Sequence, residues 1–146
     1  MDVPLSEHGR SQLDGIAASL PSRPRIVTSD LSRCLLLAEV LSKRLGAQIG
    51  LDIRWREQSF GEWEGKTWDD VDGRDYLDSW TTATPPGGES IREVLLRVAA
   101  ALGDVDDRTI VVSHAGPIRC ALSITGSMSL EEAFDTEIPF GSWRFA

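Results

Sequence analysis

Two cysteines and two histidines are all that this 146-residue sequence holds of the side chains that usually build disulfide frameworks and transition-metal centres. Cys34 and Cys120 stand far apart with no C-x-x-C pair, so neither a disulfide scaffold nor a zinc site is implied. Both fall in stretches of helical periodicity, where a buried thiol serves as a small hydrophobe. With His8 and His114 the only imidazoles, a histidine-rich metal site is excluded. Positive charge is also scarce: 15 Lys+Arg against 23 Asp+Glu leave a net charge of -8. That balance argues against nucleic acid or an anionic membrane as partner. It does not exclude a small phosphorylated metabolite, which a local group of arginines can hold inside an acidic shell. No apolar run approaches the ~18 residues of a membrane span, and no signal-peptide pattern opens the chain. A cytoplasmic setting is therefore expected. Repeats and low-complexity tracts are missing too. What remains, 41% hydrophobic and 26% charged, is ordinary for a single globular domain over residues 1–146.

Apolar spacing divides the chain into alternating helices and strands. Ser6 offers an N-cap to a helix running to about Leu20, with Leu13, Ile16, Ala17 and Leu20 on one face. Pro21 and Pro24 end it and lead into a strand, Arg25 to Thr28. Ser29 and Asp30 then offer capping oxygens to a helix from Leu31 to Leu45, stopped by Gly46. Leu35, Ala38, Leu41 and Leu45 form its inner face, widened by Leu36 and Leu37. Gln48 to Ile53 alternates like a strand. Trp55 to Trp68 has no period and reads as a glycine-punctuated loop, dense in aromatics and carboxylates. A short irregular helix follows over Asp69–Trp80, broken at Gly73, and Thr81 to Gly88 is the best candidate for a flexible lid. Ser90 and Glu93 make a capping box for a helix whose Ile91, Val94, Leu95, Val98, Ala99 and Leu102 share a face. The run Ile110-Val111-Val112 reads as a buried parallel strand, and Pro117 is suited to the first turn of the next helix. Ser129 and Glu132 form a second capping box, and an extended piece from Ile138 to Phe145 completes the sheet. The expected fold is α/β, a three-layer α/β/α sandwich.

Ligands of such sheets gather at the carboxyl ends of the strands. Arg33 follows the first strand, Glu57 the second and His114 the third. Each has an ordinary structural reading when taken singly, and His114 fits a packed corner as well as a working site. Together they form a cation, a carboxylate and an imidazole from three strand ends. An arginine and a histidine beside helix N-termini suit a phosphoryl group, whose transfer depends on positioning and charge stabilisation. A glutamate nearby could hold a proton for a leaving alkoxide.

Five segments resemble, in order, those of the histidine phosphatases of the phosphoglycerate mutase superfamily. They are D-V-P-L-S-E-H-G-R at Asp2–Arg10, T-S-D-L-S-R at Thr28–Arg33, R-E-Q-S-F-G-E-W-E-G at Arg56–Gly65, P-G-G-E-S at Pro86–Ser90, and V-V-S-H-A-G-P-I-R at Val111–Arg119. The W-E-G and P-G-G-E-S details lean toward the alpha-ribazole phosphatase branch of cobalamin synthesis. The resemblance implies a metal-independent, cofactor-free phosphomonoesterase acting through a phosphohistidine. It makes Arg33 a phosphate clamp, with His114 and the Ala115 backbone beside it. It makes Glu57 the proton donor and later water activator, and His114 a stabiliser of the phosphoryl group rather than its attacker. Glu89 and Trp63 fall where a substrate contact is expected, and Trp63, Trp68 and Trp80 read either as core or as a stacking surface. A homodimer is compatible with the pattern.

The sequence departs from the family at one place. The family's nucleophile lies in an Arg-His-Gly triplet ending a strand upstream of the D-x-P-L segment. Here that segment opens the chain, and His8-Gly9 falls at a variable helix position in the register above. The expectation is a domain lacking its first, central strand, which would leave unpaired backbone groups and a slot in the core. A phosphoglycerate mutase-type isomerase and a catalytically degenerate phosphate-binding member are the alternatives.

Overall fold

Ile26 and Val27 are both almost fully buried yet point to opposite faces of their strand, so the sheet they belong to is covered on both sides. The computed structural model describes Glu7 and residues 25–142, without the side chains of Asp75 and Leu77. The helix expected over Ser6–Leu20, and His8 with it, lies outside the described residues. In chain order the elements are β1 (Arg25–Thr28), α1 (Ser32–Leu45), β2 (Ile49–Leu51), α2 (Arg74–Asp78), α3 (Ile91–Leu102), β3 (Thr109–Val112), α4 (Ala115–Ile124) and α5 (Leu130–Asp135). Short 3-10 turns at Ile53–Trp55, Gly61–Trp63 and Trp68–Asp70 punctuate the stretch between β2 and α2.

The three strands are parallel in the order β2-β1-β3, with Ile26 opposite Ile49 on one side and Ile110 on the other. On one face Ile26, Ile110 and Val112 pack with Cys34, Ala38 and Leu41 of α1. On the other, Val27 and Val111 pack with Ile91, Val94 and Val98 of α3 and with Cys120 and Ala121 of α4. This is the expected three-layer α/β/α arrangement. Among the described residues β1 is bonded directly to both neighbours and β3 forms one edge of the sheet, which is consistent with the expected truncated sheet.

Local chemistry moves several boundaries. The second strand is shorter than its alternation predicts because the Asp52 carboxylate accepts the Arg54 N–H at 2.9 Å and grips its guanidinium, turning the chain at Ile53. Both capping boxes form as expected, Ser90 with Glu93 and Ser129 with Glu132. Ala101 rather than Ala99 belongs to the buried face of α3. The extended piece expected from Ile138 does not join the sheet over its described part. Pro139 has no N–H for a ladder, its carbonyl accepts the Ser142 N–H at 3.1 Å, and Gly141 closes the turn at φ 72°. The lid expectation for Thr81–Gly88 also fails. Pro85 is buried, the Thr81 carbonyl accepts the Arg92 N–H at 2.9 Å, and the Pro86 carbonyl accepts that of Glu62 at 2.9 Å. Arg119 ties α4 to α5 by donating to the Thr136 carbonyl at 3.0 and 3.2 Å. No described helix is long and apolar enough to cross a membrane.

Candidate active site

The carboxyl ends of β1 and β3 meet at an imidazole. Ser29 continues β1, its N–H bonded to the Val112 carbonyl at 3.2 Å, and its hydroxyl lies 2.8 Å from His114 Nε2. Arg33, in the first turn of α1, donates its Nε–H to His114 Nδ1 at 3.1 Å. An arginine can only donate, so Nδ1 is the acceptor and Nε2 carries the proton that Ser29 Oγ accepts. His114, 6% exposed, thus links Ser29 to Arg33 at the N-cap of α4. The Cys34 sulfur, expected as core, is also a wall of this site, 3.4 Å from Nε2 and hydrogen-bonded to the Ser113 carbonyl at 3.5 Å.

Ser29 and Asp30 do not cap α1, whose N-cap is Leu31 without a side-chain bond. Their oxygens are committed elsewhere. Ser29 holds His114, and the Asp30 carboxylate takes the Arg56 guanidinium in a two-pronged pair, Nε to Oδ1 at 2.6 Å with Nη2 on Oδ2. Ser113 Oγ donates to the Trp55 carbonyl at 2.7 Å. The loop after β2 is thereby fastened to the ends of both β1 and β3.

That fastening delivers Glu57 to the N-terminus of α4. Its Oε1 accepts the Gln58 N–H at 3.0 Å, and the Gly116 N–H is a further donor to the carboxyl. Burial raises the Glu57 pKa above the ordinary carboxylate value, with the two N–H bonds and the charges of Arg33 and Arg97 opposing the rise. A Cβ at position 116 would overlap Glu57 Oε1, so glycine there leaves room for the carboxyl to reach the helix N-terminus. Ala115 stands between His114 and this glycine, so its backbone heads the same helix turn. The structure therefore brings Arg33, His114, Ala115 and Glu57 to one corner.

Glu89 and Trp63 lie on the other side of the Glu57 loop, with partners of their own. The Glu89 carboxylate is taken by Arg97 at 2.9 and 3.1 Å and by the Ser59 N–H at 3.1 Å. Trp63 packs edge-on against Tyr76 at 5.6 Å and Trp68 at 6.4 Å, while Trp80 packs on Phe134 at 5.0 Å. Segments 58–62 and 86–89 run backbone against backbone. Ser59 exchanges bonds with Glu89, Gln58 Nε2 donates to the Glu89 carbonyl at 2.7 Å, and Cβ atoms on Gly61 or Gly88 would strike the opposing main chain. The F-G-E and P-G-G-E strings are thus two halves of one contact. Sequence reasoning missed Arg97, Gln58 and the Asp30–Arg56 pair. Arg97 carried a signal: it is a charged residue three positions after Val94 and four before Ala101, on the face those residues bury.

Comparison with known proteins agrees with the fold. The sequence model of the Histidine phosphatase superfamily (branch 1) matches residues 1–145. A protein named "Probable phosphoglycerate mutase GpmB" from Photorhabdus laumondii is 33% identical over 132 residues, 82% of this chain and 61% of that one. A "Glucosyl-3-phosphoglycerate phosphatase" of Mycobacterium tuberculosis is 34% identical over 142 residues, 84% of this chain and 64% of that one. The chain thus spans less than two thirds of the length of these curated relatives. The native structure of a mycobacterial glucosyl-3-phosphoglycerate phosphatase superposes with a TM-score of 0.78 at 28% identity, covering 91% of this chain and 72% of that one. Its complex with inorganic phosphate gives the same TM-score at 29% identity, covering 91% and 74%.

Proposed function

The chain belongs to the histidine phosphatase superfamily, and we propose that it provides the phosphate clamp and the proton donor of a metal-independent phosphomonoesterase. One observation carries this reading: a buried carboxyl with a raised pKa sits at the helix N-terminus headed by His114, within the field of Arg33. Arg33 offers a planar fork of N–H donors to phosphoryl oxygens, and the Ala115 end of α4 adds a helix dipole of the same sign. His114 stabilises the phosphoryl group in transfer. Glu57 enters protonated. A histidine nitrogen attacks phosphorus in line, the bond to the ester oxygen breaks, and the Glu57 proton goes to that oxygen. The Glu57 carboxylate then takes a proton from water as its oxygen attacks phosphorus, and the P–N bond breaks.

The attacking histidine is assigned by family resemblance to an Arg-His-Gly triplet, which these 146 residues do not contain. Candidate substrates are small phosphate esters. The named relatives point to phosphorylated glycerates, and the W-E-G and P-G-G-E-S segments to alpha-ribazole phosphate, so all belong in one substrate panel. The cytoplasm is the proposed setting.

The test compares the 146-residue chain with a fusion that supplies a strand ending in Arg-His-Gly ahead of Met1, both with a chelator present. The fusion is expected to form an acid-labile phosphoenzyme and turn over phosphate esters, and the chain alone is not. In the fusion Glu57→Gln should slow alkyl phosphates by about 10²- to 10⁴-fold and activated aryl phosphates far less. Phosphate trapped on His8 of the unfused chain overturns the nucleophile assignment. Equal losses on both ester types overturn the role of Glu57.

A further inference from the structure

Arg97 lies on the inward face of α3, with its side chain only 17% exposed. A guanidinium in that position is costly unless every prong finds an acceptor. Its prongs do find them. Nε and Nη2 form a fork on Glu89 at 2.9 and 3.1 Å, Nη1 donates to the Arg54 carbonyl at 2.6 Å, and Nη2 also reaches the Glu57 carbonyl at 3.3 Å. The two carbonyls bracket the turn that carries the chain from β2 to Glu57. Glu89 is itself fixed, since its carboxylate accepts the Ser59 N–H and its own N–H bonds the Ser59 carbonyl at 2.8 Å. The opposite side of the same turn is held by Asp30 on Arg56 and by Ser113 on the Trp55 carbonyl. The Glu57 segment is therefore clamped between the sheet end and Arg97.

We propose that Arg97, anchored by Glu89, is a positioning residue that holds the backbone of residues 54–57 so that the Glu57 carboxyl meets the Gln58 and Gly116 N–H groups at the head of α4. Arg97 bonds Glu57 through its main chain, not its carboxyl, so the positioning effect is transmitted and comes in addition to the direct pull of its charge on the acid. The functional weight of the inference rests on the reading of Glu57 as proton donor. A lysine at 97 keeps the charge but is a point donor that cannot serve three acceptors in a plane, which separates positioning from simple charge.

The measurement is NMR on the 146-residue chain labelled at glutamate carboxyl carbons, with the Glu57 resonance identified by its loss in Glu57→Gln. Arg97→Lys is expected to speed amide exchange at Gln58 and Gly116 on the order of tenfold. It is also expected to raise the Glu57 titration midpoint by about half to one pH unit, as the two N–H bonds that favour the carboxylate loosen. Arg97→Met should move both further. Glu89→Gln, which leaves the arginine in place without its anchor, should speed the same two amides. Where Arg97→Met fails to melt cooperatively, the lysine and glutamine variants decide. Wild-type exchange and midpoint in Arg97→Lys, or a midpoint that moves only in Arg97→Met, overturn the proposal. None of these readings needs turnover, so loss of the proton-donor role in the ester test and loss of the clamp are separate results.

Discussion

Glu57 carries a conflict that its neighbours only partly settle. Burial favours its protonated form, while the Gln58 and Gly116 N–H groups and the charges of Arg33 and Arg97 favour the carboxylate; burial prevails. The folded protein therefore binds this proton more tightly than the unfolded chain does. Its contribution to stability is fully present below the ordinary carboxylate range and is lost as pH rises through the raised value. Glu57→Gln copies the protonated shape and removes the charge. The melting temperature of the variant, relative to the parent, is expected to be near parity at about pH 4 and to gain a few degrees by about pH 8. Parallel curves across that range would show that the carboxyl does not titrate in a buried setting. If Glu57 is the proton donor proposed above, the same pH limb should appear in the activity of the fusion that supplies Arg-His-Gly.

At the scale of elements, the site depends on loops that press together rather than on the sheet alone. Gly61 has φ 55° and no room for a Cβ against the 86–88 backbone, whereas Gly65 has φ 75° and open space around it. Gly65→Ala carries only the left-handed backbone penalty of roughly 1–2 kcal/mol. Gly61→Ala must also separate two main chains and should cost more, by about 1–3 kcal/mol or beyond, with faster exchange at Glu62 and Glu89. Equal losses in urea melts of the two variants would mean that the close approach does not matter. Element order was legible in sequence because helix and strand periods differ and because Ser90, Glu93, Ser129 and Glu132 mark helix starts. The loop contact was not. Glycine spacing reads the same in a mobile lid as in a tight backbone contact, and Thr81–Gly88 proved to be hydrogen-bonded to the body.

For the molecule as a whole, the corner formed by Arg33, Glu57 and His114 was readable because parallel α/β sheets place strand ends together. The clamps behind it were not, since Arg97 on its helix and Asp30 beside Ser29 look like ordinary solvated charges or caps until the fold is assembled. The acidic chain makes the central claim sharp. With a net charge of -8, a dianion has little reason to bind except at a built cationic corner. The most direct test is the melting temperature of the 146-residue chain in rising phosphate or vanadate at fixed ionic strength, with Arg33→Ala and His114→Ala alongside. At about a hundred times the dissociation constant the anion should stabilise the parent by ~2.7 kcal/mol, seen as a rise of several degrees, and each variant should lose that rise. Protection that persists undiminished in both variants would place the anion elsewhere and contradict the account.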